Sequence, residues 1–197
     1  MTEPGLRERK KAKTRRLIQD VALRLFAEQG YDETTVDQIA AEAEVSPSTF
    51  FRYYPTKEDV VLEDEYDPFL LAALESVPHG TPLVEAFRLA VHTAFEEFYA
   101  SERDRIYERM RLTFTTPALR IRALAANHDV GRMYSGVVAK TLGVSPEDPM
   151  ISLAAGALTG VLLVVFERWI ADEGRSDLPA MMDEALRLLG SGFKIEG

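Results

Sequence analysis

The sequence predicts an all-α protein, a small N-terminal three-helix unit followed by a larger helical bundle, on three observations. Apolar residues recur at helical spacing along the chain, and no run alternates apolar and polar residues as a half-buried strand would. Glycine and proline fall in short clusters, so the elements are joined by turns and not by long linkers. Two short helical stretches follow a longer one at the N-terminus, which separates residues 1–57 from residues 58–197. A chain of 197 residues holds one compact domain of ordinary size plus a small module, and one module must lean on the other or on a second copy. With 46% apolar and 28% charged residues it is globular, without low-complexity segments or fixed-period repeats.

The first helix is expected from about Arg7 to Gln29, its apolar stripe formed by Leu17, Ile18, Val21, Ala22, Leu25 and Phe26, with Gly30 as its stop. Thr34 or Thr35 then caps a short second helix whose inward positions are Val36, Ile39, Ala40 and Ala43. Val45 and Ser46 form a break. Ser46 is the expected N-cap of a third helix, with Pro47 at its first position, where a fixed φ and a missing N–H do no harm. That helix ends near Tyr54, before Pro55. Phe50 and Tyr54, four residues apart, should face inward onto Ile39 and Leu25.

Further on, helices are expected over residues 57–76, 83–100, 102–115, 118–142, 150–172 and 178–193. The breaks lie at Pro78–Pro82, Pro117, Gly143–Pro149 and Gly174–Asp177. Residues 150–166 are almost wholly apolar. They fall short of the roughly 20 residues a membrane span needs, and Ser152, Thr159 and the charges from Glu167 onward interrupt them. No membrane role is expected. Small Ala154, Gly156, Ala157 and Gly160 permit close helix approach, so with Leu178, Met181, Met182, Leu186, Leu189 and Phe193 the last two helices suit either a four-helix bundle between two copies or an intrachain core.

Charge divides the chain. The net charge is −9, yet residues 1–57 carry ten Lys/Arg against nine Asp/Glu, and Arg7, Arg9, Lys10, Lys11, Lys13, Arg15 and Arg16 form a basic arm. A basic end on an acidic body points to a polyanion partner at that end alone. Two short helices behind a tight turn, with a longer helix beside them, are the parts of a helix-turn-helix, whose second helix enters the major groove. Ser46, Ser48 and Thr49 offer small hydrogen-bonding groups there, Pro47 opens the helix, and Arg52, Tyr53 and Lys57 reach backbone or base edges.

The run GYDETTVDQIAAEAEVSPSTFFRYYPTKEDVV, residues 30–61, resembles the DNA-binding signature of the TetR family of transcriptional regulators. The resemblance implies that Thr35, Thr49, Phe51, Tyr53 and Lys57 touch DNA, while Val36, Ile39, Ala40, Val45, Phe50 and Tyr54 pack. Glu44 stands where a glycine commonly opens the turn, and Phe51 replaces a common tyrosine and so lacks a hydroxyl for phosphate. A non-glycine residue in a left-handed turn costs about 1 kcal/mol. The resemblance further implies a double-stranded operator, a homodimer, and a body that holds a small-molecule inducer. The TPALR run at 116–120 and the LPAMMDEALRLL end are similar to a TetR subgroup with acyl-CoA-like ligands.

Phe87, Val91, Phe95, Phe98 and Tyr99 stripe one helix and Tyr107, Met110 and Phe114 the next; such stripes serve as core or as pocket wall. The candidate ligand-binding set is Phe87, Val91, Phe95, Tyr99, Met110 and Phe114, for an apolar or acyl-type molecule. Arg103, Arg105, Arg109, Arg111, Arg120 and Arg122 crowd one stretch, either as pairs with nearby carboxylates or as partners of a ligand's phosphates. Trp169 is expected to pack. His79, His92 and His128 stand apart without metal-ligand spacing, and no nucleophile elbow or phosphate loop occurs, so no enzyme, cofactor or metal is expected. The lack of cysteine excludes disulfides and thiolate zinc sites, and with no signal-peptide run at the start a reducing cytoplasm is expected. Two rival readings remain: a helical-bundle enzyme or binding protein with another polyanion partner, and a purely architectural DNA binder.

Overall fold

A computed structural model describes residues 5–64 and 66–194. Among these, nine helices and no strand occur: α1 Leu6–Gln29, α2 Val36–Glu42, α3 Pro47–Tyr53, α4 Lys57–Leu62, α5 Asp67–Ser76, α6 Leu83–Thr115, α7 Pro117–Leu142, α8 Pro149–Ala171 and α9 Leu178–Gly190. The side chain of His128 lies outside the described set.

Local chemistry sets the N-terminal unit. Gly30, at φ 92°, ends α1 and donates its N–H to the Phe26 carbonyl. Of the two candidate caps Thr35 is the one used: its hydroxyl accepts from Gln38 N–H while the Gln38 side chain accepts from Thr35 N–H, a capping box. Buried Thr34 instead donates to the Gly30 carbonyl at 2.7 Å. Glu44 does carry the left-handed backbone, at φ 53°, and Val45 N–H closes the turn on the Ala40 carbonyl. Ser46 caps α3 by accepting from Thr49 N–H, with Pro47 in the first turn. Tyr54 is extended, as a residue preceding proline should be. Phe50 and Tyr54 are buried with Ile18, Ala22, Phe26, Ile39 and Ala40, and Leu25 packs at the edge. Leu17 departs from the expected stripe and is exposed, whereas Leu23 is buried.

The body differs from expectation in four places. The single helix expected over 57–76 is broken: α4 stops at Leu62, and α5 starts at Asp67 with Pro68 in its first turn. A proline inside a continuous helix would clash with the carbonyl four residues back and donate nothing, so the helix must restart just before it. Conversely, α6 runs unbroken through Ser101, where two helices were expected, because no glycine or proline interrupts 83–115. Its 33 residues span about 50 Å. Val60 and Val61 of α4 pack into the N-terminal core together with Leu112 of α6 and Leu119 of α7, so that core continues past residue 57 and onto the body. Finally α9 ends at Gly190, leaving Phe193 beyond it and exposed.

A second core joins α5 to α9 around Phe87, Trp169, Leu178 and Leu186. Trp169 is fully buried, donates Nε1–H to the Ser176 carbonyl and meets Tyr107 edge-on. On α8, Ile151, Leu158, Val165 and Trp169 face this core, while Met150, Leu153, Gly156, Ala157 and Val164 are exposed along the other side. With a mean hydropathy of 2.1, α8 is long and apolar enough to cross a membrane.

Candidate nucleic-acid interface and effector cavity

The free face of α3 is built from small polar groups around an exposed aromatic. Ser46, Pro47, Ser48, Phe51 and Arg52 are exposed, and Thr49 and Tyr53 are half-buried. Phe51 leaves half of its surface open (50%) although it meets Phe50 edge-on, which frees a large apolar ring at the surface. The Ser46 hydroxyl lies 3.0 Å from that of Ser48 and 2.9 Å from that of Thr49, a local network at the helix N-terminus. The back of the helix is held by Tyr54, whose hydroxyl donates to the Arg15 carbonyl and whose pKa burial pushes up to about 12.

Beside this face runs a groove lined by Leu6, Arg7, Glu8, Lys10, Lys11 and Thr14 of α1 and by Arg52 and Tyr53 of α3. The basic run is therefore the first turns of α1, aimed along the recognition helix. Arg7, Lys10, Lys11 and Thr14 were not among the site residues expected from sequence. Their signal, the basic run, was legible, but its helical phase against α3 was not. Thr35 is exposed at the start of α2. Lys57 is placed differently from a free phosphate ligand: its ammonium donates to the carbonyls of Tyr31 (2.9 Å) and Thr34 (3.0 Å) and lies 4.1 Å from the Tyr31 ring centroid. Two of its three protons hold the α1–α2 link.

Within the body a cavity of about 250 Å³ lies among α5, α6, α7 and α8. Of the candidate ligand-binding residues, Val91, Phe95, Met110 and Phe114 line it; Phe87 and Tyr99 do not. Around α6 Phe87 falls between the lining positions Ala94 and Phe98, but it lies a turn before Val91, the first α6 residue at the cavity, and so beyond the cavity's end; Tyr99 stands about 40° further around the helix than Phe95. Phe87 instead meets Tyr134 edge-on at 5.8 Å, and Tyr99 packs on Phe95 at 5.3 Å. The candidate set left out Phe98 of the same stripe, Ile106, Leu162, Phe166 and a polar group formed by Asp64, Asp67, Arg109 and Tyr134.

In that group Arg109, only 4% exposed, pairs with Asp64 at 2.6 Å, and Tyr134 donates its hydroxyl to Asp67 at 2.6 Å. Burial, with the charge of Asp64 second, raises the Asp67 pKa to about 6; burial and the adjoining Asp67 carboxylate raise that of Tyr134.

All six arginines of the cluster have carboxylate partners: Arg103 with Asp104, Arg105 with Asp20, Arg109 with Asp64, Arg111 with Glu108, Arg120 with Glu167 and Arg122 with Asp59. Paired charges, and not a bed for phosphates, are what this cluster builds. Several pairs cross between the two cores: Arg105 of α6 binds Asp20 and the buried Gln19 of α1, and Arg122 of α7 reaches the α4 N-terminus through Thr56 (2.7 Å) and Asp59 (2.6 Å). Arg16 of α1 returns the contact to Glu102 of α6 at 2.6 Å.

Comparison with known proteins decides the family. Residues 18–63 match the bacterial regulatory proteins of the tetR family, and residues 81–194 match the MftR C-terminal domain. The chain belongs to the TetR family. It is 31% identical over 187 residues, 94% of this chain and 93% of the relative, to the mycofactocin biosynthesis transcriptional regulator MftR of Mycobacterium tuberculosis. It is also 36% identical over 152 residues, 74% and 67% of the two chains, to the HTH-type transcriptional regulator TcmR of Streptomyces glaucescens. Among solved structures, Thermus thermophilus FadR, a TetR-family transcriptional repressor in complex with lauroyl-CoA, is 29% identical with a TM-score of 0.55, covering 93% and 96% of the chains. The TetR-family assignment makes the chain a helix-turn-helix transcriptional regulator, with α2 and α3 as its DNA-reading pair.

Proposed function

We propose that this TetR-family regulator is a cytoplasmic homodimeric repressor that binds a near-palindromic operator and is released when a small apolar or acyl-type molecule enters the α5–α8 cavity. The observation that carries this reading is the position of Arg109. It lines the cavity and holds Asp64, in the α4–α5 link that joins the DNA-binding unit to the body. A ligand that reshapes the cavity must act on that link, with Arg105 and Arg122 carrying the change to α1 and α4. To move the population from 1:99 to 99:1 it must prefer the released state by about 5.5 kcal/mol.

On DNA, Ser48, Thr49 and Arg52 read base edges. Thr35, Ser46, Pro47, Phe51 and Tyr53 fit the strand around them, and Arg7, Lys10 and Lys11 follow the phosphates of the neighbouring groove. The apolar side of α8, with Leu153 66% exposed, supports a dimer formed by α8 and α9. Such a dimer places two recognition helices about one turn of DNA apart. The cavity, slightly below the roughly 300–1,000 Å³ of common ligand pockets, suits an apolar chain, and FadR with lauroyl-CoA favours an acyl compound. Because the arginine cluster is paired, recognition rests on the chain and its linking group rather than on nucleotide phosphates.

The test is a footprint on the promoter beside the protein's own gene, repeated with Arg52→Ala and with acyl-CoAs of increasing chain length. A protected near-palindrome, lost in the variant, is expected; release by an acyl-CoA decides for the acyl form of the effector, and its absence for a plain apolar one. Protection that survives deletion of residues 1–57 would overturn the reading.

A further inference from the structure

The cavity is not uniformly apolar, and its polar end has a sign. Asp64 and Asp67 bring two carboxylates to it and Arg109 one cation. The donors around it are committed elsewhere. Arg109 is turned to Asp64 and the Glu63 carbonyl, and Tyr134 gives its proton to Asp67. The hydroxyls of Thr113 and Thr159 donate to the carbonyls of Arg109 and Ala155 within their own helices, and Tyr66 donates to Glu102. The acceptors are not all used. Asp67 takes the Tyr134 proton on Oδ1, and among the described residues its Oδ2 has no hydrogen bond. A half-buried carboxylate with an open oxygen, beside Phe95, Phe98, Leu162 and Phe166, offers a seat for a donor.

We infer that the polar end of this cavity takes a hydrogen-bond donor, so that its ligand is an apolar molecule ending in a protonated amine or a hydroxyl seated on Asp67, and that a free carboxylate is rejected. The inference rests on the proposed role of the cavity as the effector site. It keeps the apolar form of that effector in place of the acyl form, and assigns Asp67 as the residue that sets ligand specificity. A ligand carboxylate would meet an excess negative charge and no free hydroxyl donor. An ammonium would gain a charge-assisted bond in a site where water competes little. The burial that raises Asp67's pKa is the same shortage seen from the protein: the ionised group lacks the partners it would have in water. Octyl compounds serve as probes of this cavity of about 250 Å³.

The experiment is calorimetric titration of the full chain with octylamine, 1-octanol and octanoate at pH 7.5, for the wild type and for Asp67→Asn. The wild type should bind octylamine at least tenfold more tightly than octanoate, with 1-octanol between them. Asp67→Asn should weaken octylamine at least tenfold, leave 1-octanol within about threefold, and tighten octanoate. A second measurement needs no variant: lowering the pH from 7.5 to 5 on the wild type should weaken octylamine and not 1-octanol. The groups facing this end are Asp64, Asp67, Tyr66, Arg109 and Tyr134, and among them Asp67 is the one raised into that window. Octanoate binding as tightly as octylamine, or an unchanged order in Asp67→Asn, would overturn the inference. Failure of all three compounds to bind would overturn the cavity as a ligand site and the proposed effector with it. Binding in the expected order without release of the operator would uphold the inference and refute the regulatory reading.

Discussion

Breaking the Arg109–Asp64 pair tests the link between body and DNA-binding unit most directly. Arg109→Met keeps the side-chain length and removes the charge, leaving Asp64 with only the Tyr66 N–H at 2.9 Å. Removing one partner of a buried ion pair costs about 3–5 kcal/mol. Arg109 is 4% exposed but Asp64 33%, so water relieves part of the stranded charge and the expected loss is about 2–3 kcal/mol. For a chain of this size each kcal/mol lowers Tm by roughly 2–4 °C, giving a drop of about 4–12 °C by circular dichroism. Adding Asp64→Asn removes the stranded charge while keeping an acceptor for Tyr66 N–H, so the double variant should recover about 1 kcal/mol or more over Arg109→Met. A drop below about 2 °C in the single variant, or strictly additive losses in the cycle, would show that the pair does not tie α6 to the α4–α5 link.

Three further outcomes follow from the same geometry. A Cβ at Gly160 meets nothing within 4 Å, so Gly160→Glu should leave the monomer folded and, by burying an unpaired charge between copies, abolish the α8 dimer; sedimentation showing an intact dimer would place the interface elsewhere. Asp67, raised from about 3.8 to about 6, contributes stability that is complete below about pH 4 and is lost as pH rises to about 6. At about 1.4 kcal/mol per tenfold change, Asp67→Asn should be roughly 2–3 kcal/mol more stable at pH 7, with a flatter profile between pH 4 and 6 in urea unfolding; parallel profiles would contradict the burial. Gly174 combines φ +69° with a Cβ position 2.6 Å from the Tyr107 ring, so Gly174→Ala should cost about 2–4 kcal/mol, visible as a lowered urea midpoint.

Wherever structure follows from interactions a few residues long, reading the chain alone was enough. The Ser46 and Pro47 helix start and the Gly30 stop rest on contacts within about four residues, and the four-residue spacing of Phe50 and Tyr54 marked their inward face; between Thr34 and Thr35 the structure chose the cap. Misplaced boundaries had local causes as well: Pro68 breaks the helix expected across it, and nothing at Ser101 breaks α6.

Partners distant along the chain were decided by the tertiary structure alone. Six arginines in twenty residues read as surface pairs or as phosphate ligands, and the partners of Arg105 and Arg122, Asp20 and Asp59, lie 85 and 63 positions away. Lys57, a phosphate contact by motif, is drawn into the Tyr31–Thr34 turn. The aromatic stripe of α6 reads as core or as pocket wall, and only the packed structure puts Phe87 beyond the end of the cavity and Tyr99 outside its lining. Nothing in the sequence singles out Asp64 or Asp67, and it is the packing of α5 against α6 and α7 that brings them to the cavity. A side chain's type and spacing set what it can bind. Which groups it meets, and how much water is left to compete, depends on elements that the linear order keeps far apart.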